Sequence, residues 1–136
     1  MSDGTMVWAG ARVAARMILS SELDVKGKRV LELGCGLGLP GIVCLRAGAR
    51  SVVFTDHDNG CLIAVEKTAK LNGYDKLSRA VHLDWFNLPV DSVDLAELVG
   101  GSEQPFDLVL GADVMGEDVH AEGLQKVIHR FLSEGH

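Results

Sequence analysis

Three glycines at alternate positions, Gly34, Gly36 and Gly38, directly follow a short apolar run at residues 29–33. Glycine adopts left-handed backbone conformations at little cost, so this cluster predicts a sharp turn at the end of a strand. Pro40 suits the first turn of a helix, where its missing N–H leaves no hydrogen bond unmade. The segment therefore predicts a strand, a tight glycine loop and a helix in direct succession.

Short apolar runs of this kind occur four times and alternate with helical patterns. Their length of about five residues and their content of Val, Leu and Phe are typical of strands buried in a parallel sheet. The four runs are residues 29–33, 51–55, 80–84 and 106–110. Helical patterns lie at residues 7–19, 40–47, 58–72, 91–99 and 124–132. This alternation predicts an α/β fold, a Rossmann-like, open and mainly parallel sheet of about four strands with helices on both faces.

Composition restricts the class of protein and its partners. The chain has 136 residues, enough for one domain, and its 13 basic and 19 acidic side chains give a formal charge of −6. A negative chain repels phosphate backbones at long range, which argues against a nucleic-acid partner. No stretch reaches the roughly 18 apolar residues that a membrane span needs, which argues against a membrane partner. Three cysteines without a C-x-x-C pair predict reduced thiols in a cytoplasmic or nuclear protein and give no metal site.

Polar and unusual residues cluster where the predicted strands end. In an open parallel sheet the carboxyl ends of the strands meet at one edge, and ligands bind there. This chain places there the glycine loop, Asp56, the pair Asp84-Trp85 and Asp113. We therefore expect the functional site at this carboxyl edge.

The glycine loop is compatible with two cofactor classes. Gly36, Gly38 and Gly41 match the G-x-G-x-x-G fingerprint of dinucleotide-binding proteins, which leaves a nicotinamide-dependent oxidoreductase as an alternative. Asp56 can accept hydrogen bonds from the ribose hydroxyls of either cofactor. Glu32 precedes the loop and would repel a bound pyrophosphate, whereas it would attract the sulfonium and ammonium groups of S-adenosylmethionine. The charges thus favour S-adenosylmethionine, with Glu32 on an acidic rim. A loop that only turns the chain and binds nothing is the remaining alternative.

Five segments occur in an order and spacing that point to a family. They are Trp8, Leu31–Gly41, Thr55-Asp56, Leu83–Trp85 and Phe106–Asp113. Together they resemble the seven-strand methyltransferases of the eukaryotic protein-lysine group over nearly the whole chain. The resemblance implies S-adenosylmethionine as cofactor. It also implies that the methyl acceptor is a lysine or an N-terminal amine of a protein, such as a chaperone or a translation elongation factor.

The resemblance also implies a set of residues around the cofactor. They are Trp8, Gly34, Cys35, Gly36, Asp56, Trp85 and Ala112, which Glu32 joins because of its charge. Trp8 would close one side of the pocket, and Trp85 would lie along the adenine, a contact that suits a large flat ring. Asp56 would accept from the ribose hydroxyls. We attribute Cys35 to its small size and not to its thiol.

Two features depart from the family pattern. The family carries an Asp-x-x-Tyr motif after the fourth strand, where this chain reads Asp113-Val-Met-Gly116, so Asp113 is a candidate catalytic residue without its tyrosine. The family fold has seven strands, whereas this chain supplies about four. We therefore expect a methyltransferase domain over residues 1–136 that is incomplete at its C-terminal side and can self-associate over an exposed strand edge. A cofactor-binding module without methyl transfer is the alternative to an active enzyme.

Overall fold

Three helices and four strands form the part of the protein that the computed structural model describes, residues 9–84 and 106–111. In chain order they are α1 (Ala9–Leu19), β1 (Arg29–Glu32), α2 (Leu39–Arg46), β2 (Ser51–Asp56), α3 (Asn59–Leu71), β3 (Ser78–His82) and β4 (Leu108–Leu110). The four predicted strands and the first three predicted helices are thus confirmed. The helical patterns at 91–99 and 124–132 lie outside the described residues.

The four strands form one sheet in the order β3-β2-β1-β4, and every pairing is parallel. Helix α2 connects β1 to β2, and α3 connects β2 to β3, so the chain moves in one direction along the sheet. It then returns to the other side of β1, where β4 pairs with it. The strand order therefore reverses between β1 and β4, which is the position where open α/β sheets bind ligands. The predicted α/β class and open parallel sheet are confirmed.

The position of each strand in the sheet explains its sequence. All four residues of β1 are buried, so both faces of the sheet are covered at this central strand, and Val30 and Leu31 have no exposed surface. Strand β3 lies at one edge of the described sheet and has only one buried residue, Val81. It begins two residues before the predicted run because Ser78 pairs with Val52 of β2. Backbone pairing at an edge does not require apolar side chains, so hydrophobicity alone misplaced this strand.

Local signals fix where α2 and α3 begin. The residue before α2 is Gly38, which has a left-handed backbone with φ of 77°, and Pro40 follows in the first turn. The side chain of Asp58 caps α3, since its Oδ1 accepts the backbone N–H of Gly60 at 2.7 Å. The predicted proline start is therefore confirmed, and α3 begins with an aspartate cap. These two helix starts position the glycine loop and the end of β2 next to each other.

No helix within residues 9–84 and 106–111 combines the length and the apolar character needed to cross a membrane.

Gly38 and Gly73 allow the packing of the glycine loop to be tested separately from its backbone conformation. Both have a φ of 77°, so alanine at either position carries the strain of a left-handed backbone, about 1–2 kcal/mol. A Cβ on Gly38 would overlap the Val65 side chain and lie 3.1 Å from Phe54 Cε1, whereas a Cβ on Gly73 would meet nothing within 4 Å. Gly38→Ala is expected to lower the free energy of unfolding by about 1–3 kcal/mol more than Gly73→Ala does. Urea unfolding followed by circular dichroism measures this, and equal losses would show that the loop has room for a side chain.

Candidate functional site

The loop between β1 and α2 has an unusual backbone with three left-handed glycines. Gly34, Gly36 and Gly38 have φ values of 58°, 55° and 77°. The backbone N–H of Gly38 donates to the carbonyl of Cys35 at 2.8 Å, which closes a tight turn. Gly34 is exposed, Gly36 is half-buried and Cys35 is buried. The predicted glycine turn is thus confirmed, and it presents backbone to solvent at the reversal of strand order.

Asp56, the last residue of β2, holds the near end of this loop. Its Oδ2 accepts the backbone N–H of Gly36 at 2.9 Å, and its Oδ1 accepts the backbone N–H of Asp58 at 2.9 Å. The imidazole Nδ1 of His57 lies 3.4 Å from the same Oδ1. The carboxylate is 7% exposed. Asp56 is therefore fixed in place before any ligand binds, with one edge against the glycine loop.

Glu32, the last residue of β1, holds the far end of the loop. Its Oε1 accepts the backbone N–H of Gly41 in the first turn of α2 at 2.9 Å. Only 2% of Glu32 is exposed, so the prediction that it forms part of an acidic rim is wrong. The physical reason is the central place of β1, whose last side chain enters the core beneath the loop. Direct contact between Glu32 and a cofactor stays a prediction.

Thr55 ties the two carboxyl-bearing strands together, and sequence reasoning gave it no role of its own. Its hydroxyl donates to the carbonyl of Glu32 at 2.8 Å, and its carbonyl accepts the N–H of Cys35 at 2.8 Å. Thr55 has no exposed surface. A hydroxyl between an apolar run and the aspartate that ends the strand was the available signal.

Gly41 also has a role that its motif position concealed. A Cβ there would lie 2.7 Å from Oε1 of Glu32 and would overlap the Phe54 ring. Glycine therefore lets α2 approach β2 and brings its N–H within reach of Glu32. Close packing of helix on strand is a known use of the third glycine in such loops.

Burial determines the protonation of the groups around the loop. Loss of solvation raises the pKa of Glu32 from 4.5 to about 8, against the opposing effect of the Gly41 N–H, and the nearby charge of Asp56 adds to the increase. Burial also raises the pKa of the Cys35 thiol well above its ordinary range, with Glu32 and Asp56 contributing further. Burial, and to a lesser extent the electrostatic effect of Glu32, raises the pKa of the Cys44 thiol to about 12. At neutral pH Glu32 is mostly a neutral acid, and Cys35 is a small apolar side chain and not a nucleophile.

The candidate residues separate into three groups. Gly34, Cys35, Gly36 and Asp56 come together at the carboxyl edge, and Glu32 lies beneath them. Trp8, Trp85, Ala112 and Asp113 lie outside the described residues. Within the described ranges, no three His, Cys, Asp or Glu side chains are arranged to hold a metal ion.

The hydrogen-bonding groups that contact the loop restrict the ligand. Both side chains that hydrogen-bond to the loop are carboxyl groups, whereas a phosphate site offers N–H donors and positive charge. Asp56 is an acceptor for hydroxyl groups or for a cation. The arrangement therefore fits S-adenosylmethionine, which carries ribose hydroxyls and positive charge and no phosphate.

Removing the Glu32 carboxyl is expected to change how stability depends on pH. Between pH 4.5 and pH 8 the folded chain keeps a proton on Glu32 that the unfolded chain releases, so stability falls as pH rises. The slope from this group is up to about 1.4 kcal/mol per pH unit. Glu32→Gln should remove that slope, as measured by urea unfolding from pH 5 to pH 8 without ligand. Glu22→Gln, at an exposed position, is the control and should keep it. Parallel curves for wild type and Glu32→Gln would contradict this account.

The comparisons with known proteins agree on one family. Residues 1–135 match the family model described as lysine methyltransferase. Histone-arginine methyltransferase METTL23 of Xenopus laevis is 32% identical over 133 residues, and protein N-lysine methyltransferase METTL21A of Danio rerio is 35% identical over 133 residues. Both alignments cover 96% of this chain but only 52% and 56% of the relatives. The chain thus spans about half the length of these curated relatives.

Solved structures show the same fold. A TehB-like SAM-dependent methyltransferase from Corynebacterium glutamicum aligns with a TM-score of 0.61 and 25% identity. The alignment covers 88% of this chain and 55% of that chain.

Proposed function

Because the chain belongs to the lysine methyltransferase family, whose cofactor is S-adenosylmethionine, we propose that it transfers a methyl group to a lysine of another protein. Both the family and the cofactor are those that the motifs predicted. The loop fixed by Asp56 at the reversal of strand order is the observation that supports this function most strongly. Family membership also argues against the nicotinamide-dependent oxidoreductase that Gly36, Gly38 and Gly41 left open.

We place the cofactor against the exposed side of the glycine loop. Gly34, Cys35 and Gly36 would run beside its methionine part and ribose, since a Cβ-free backbone permits close approach. Asp56 would accept from the ribose hydroxyls with the lone pairs that its two backbone hydrogen bonds leave free. Glu32 would act through Gly41 by holding the loop. Trp8, Trp85 and Ala112 complete the proposed contacts by resemblance alone.

The protein has to align an amine with the methyl group and keep that amine neutral. S-adenosylmethionine supplies a methyl group already activated by its bond to a sulfonium. A lysine has an ordinary pKa of about 10.4 and must lose its proton and much of its solvation before it can attack. We assign the orientation of this amine to Asp113, which follows β4 by three residues in the sequence. Strand β4 pairs with β1, the strand that leads into the glycine loop. Where the family motif has a tyrosine, this chain has Gly116. A module that binds the cofactor without transferring the methyl group is therefore the second candidate.

The partners and the compartment follow from the same features. A protein acceptor fits the lysine methyltransferase family, and the net charge of −6 disfavours a nucleic-acid partner. The three cysteines are buried and form no disulfide, which fits a reducing compartment, the cytoplasm or the nucleus. We propose that residues 1–136 form one methyltransferase domain. We also infer that two copies of the chain associate through β4.

Neutralising Asp56 is expected to weaken cofactor binding. Asp56→Asn keeps one oxygen acceptor but loses the charge, and hydrogen bonds to a charged acceptor contribute about 1.5–3 kcal/mol. The dissociation constant for S-adenosylmethionine should therefore rise by roughly 10- to 100-fold in calorimetric titration. Asp75→Asn, at an exposed position, is the control and should bind as wild type does. An unchanged constant for Asp56→Asn would remove Asp56 from the site.

Methyl transfer itself is tested with S-adenosylmethionine carrying a labelled methyl group and a cell extract as acceptor. Label on a discrete protein band, recovered as methyllysine after hydrolysis, is expected. Asp113→Asn should bind the cofactor normally and lose at least about 100-fold in transfer, a usual loss when a positioned polar group is removed. Cofactor binding without any transfer would favour the binding module. Recovery of methylarginine would instead support an arginine as the methyl acceptor, as in the name of the relative METTL23.

A further inference from the structure

Two carboxyl groups hold the same loop, but their surroundings differ. Both oxygens of Asp56 accept backbone N–H groups, from Gly36 and Asp58. Glu32 uses only Oε1, on Gly41, and its Oε2 has no hydrogen-bond partner among the described residues. Glu32 is also the more deeply buried of the two, 2% exposed against 7%. Within residues 9–84 and 106–111, one oxygen of this buried acid therefore has no donor that would stabilise its charge.

Among the described residues, the titratable groups that face Glu32 are acids or thiols. Asp56 faces it from the end of β2, Cys35 from the glycine loop and Cys44 from α2. Cys61 of α3 faces Cys35 in turn. Within the described part of the chain, no lysine, arginine or histidine is among the groups that influence Glu32. A buried carboxyl group without a cation remains protonated, because the low dielectric penalises its charge.

A cationic ligand on the glycine loop would supply the missing positive charge. The loop follows Glu32 directly in the chain, its glycines have no side chains, and Gly34, two residues after Glu32, is exposed. Attraction between opposite charges is stronger in such a partly desolvated site than in water. S-adenosylmethionine carries a sulfonium, whereas S-adenosylhomocysteine, the product of transfer, has a neutral thioether at the same place. The two ligands therefore differ by one unit of charge near this loop.

We propose that Glu32 is a specificity-determining residue that distinguishes the methyl donor from its product by charge, releasing its proton to solvent when the sulfonium form binds. The O–H bond of the carboxyl group breaks, the proton passes to buffer, and the carboxylate stays in the core to compensate the ligand's cation. With S-adenosylhomocysteine the proton stays on Glu32. This inference rests on the proposed cofactor site. By linkage, the cofactor state and the Glu32 proton influence each other equally, so loss of the sulfonium favours reprotonation and product release.

The expected pH dependence has a definite sign. Below the pH range in which Glu32 titrates in the S-adenosylmethionine complex, Glu32 is protonated in both the free and the bound protein. Its side chain then adds nothing to the affinity for the sulfonium. As pH rises from there towards the range in which Glu32 of the free protein also ionises, Glu32 becomes a carboxylate in the complex. The affinity for S-adenosylmethionine therefore increases over this range. The affinity should rise about tenfold for each unit by which the ligand lowers the pKa of Glu32. The affinity for S-adenosylhomocysteine should rise less.

Isothermal titration calorimetry of the full chain tests this directly. Each ligand is titrated at pH 6, 7, 8 and 9 in two buffers with different ionisation heats, which gives the number of protons released. Wild type should release most of one proton more with S-adenosylmethionine than with S-adenosylhomocysteine at pH 7. Glu32→Gln imitates the neutral acid and should lose that excess and the rise in affinity, while Glu22→Gln should keep both. The free ligands titrate identically in the three experiments, so a difference between the proteins arises from their bound states, and Glu22→Gln controls for a change of protein charge alone.

The possible outcomes separate this inference from the proposed function. Equal proton release by wild type and Glu32→Gln, with both ligands bound, would overturn the charge-sensing role and leave the cofactor site intact. If Glu32→Gln fails to fold, the wild-type comparison still decides, because equal proton release with the two ligands would overturn the role. No binding of either ligand to wild type would contradict the proposed function and this inference together.

Discussion

Two buried carboxyl groups accept the backbone N–H groups of one glycine loop, and the site depends on this interaction. A loop with three left-handed glycines has few side chains with which to pack, so its shape requires fixed acceptors. Asp56 holds Gly36, and Glu32 holds Gly41. Because the two acids end adjacent parallel strands, the register of β1 against β2 sets the position of the whole loop. If either strand slipped by one residue, its acid would turn to the opposite face of the sheet, and the two carboxyl groups could no longer hold the same loop.

This construction prepares the loop before a ligand arrives. Thr55 bridges β1 and the loop through its hydroxyl and its carbonyl, and no water is needed for those contacts. A preformed loop avoids the cost of ordering backbone on binding, which leaves more of the interaction energy as affinity. The same construction concentrates acidic groups at the loop, and in the proposed site these disfavour phosphates and favour a cation. Fold stability and cofactor choice thus depend on the same few hydrogen bonds.

Much of this arrangement could be predicted from the sequence, because it follows from local signals. The glycine turn, the proline start of α2, the Asp58 cap and the place of Asp56 at the end of a strand each depend on a few neighbouring residues. The place of Glu32 could not be predicted in this way. Its contact with Gly41 exists only because α2 packs closely on Phe54, a tertiary fact that spacing does not contain. Hydrophobicity likewise misplaced β3, since edge pairing with β2 decides its first residue. Trp8, Trp85, Ala112 and Asp113 lie outside the described residues and stay predictions.

The central claim is that S-adenosylmethionine binds against this glycine loop and its two carboxyl groups. The most direct measurement is the backbone amide spectrum of the nitrogen-15-labelled protein during titration with S-adenosylmethionine. We expect the largest shifts at Gly34, Gly36 and Gly41 and at the amide of Asp58, whose N–H bonds to Asp56. Gly73, beyond the end of α3, should stay unchanged. Saturable shifts confined to residues away from the carboxyl edge, or no shifts at all, would contradict the claim.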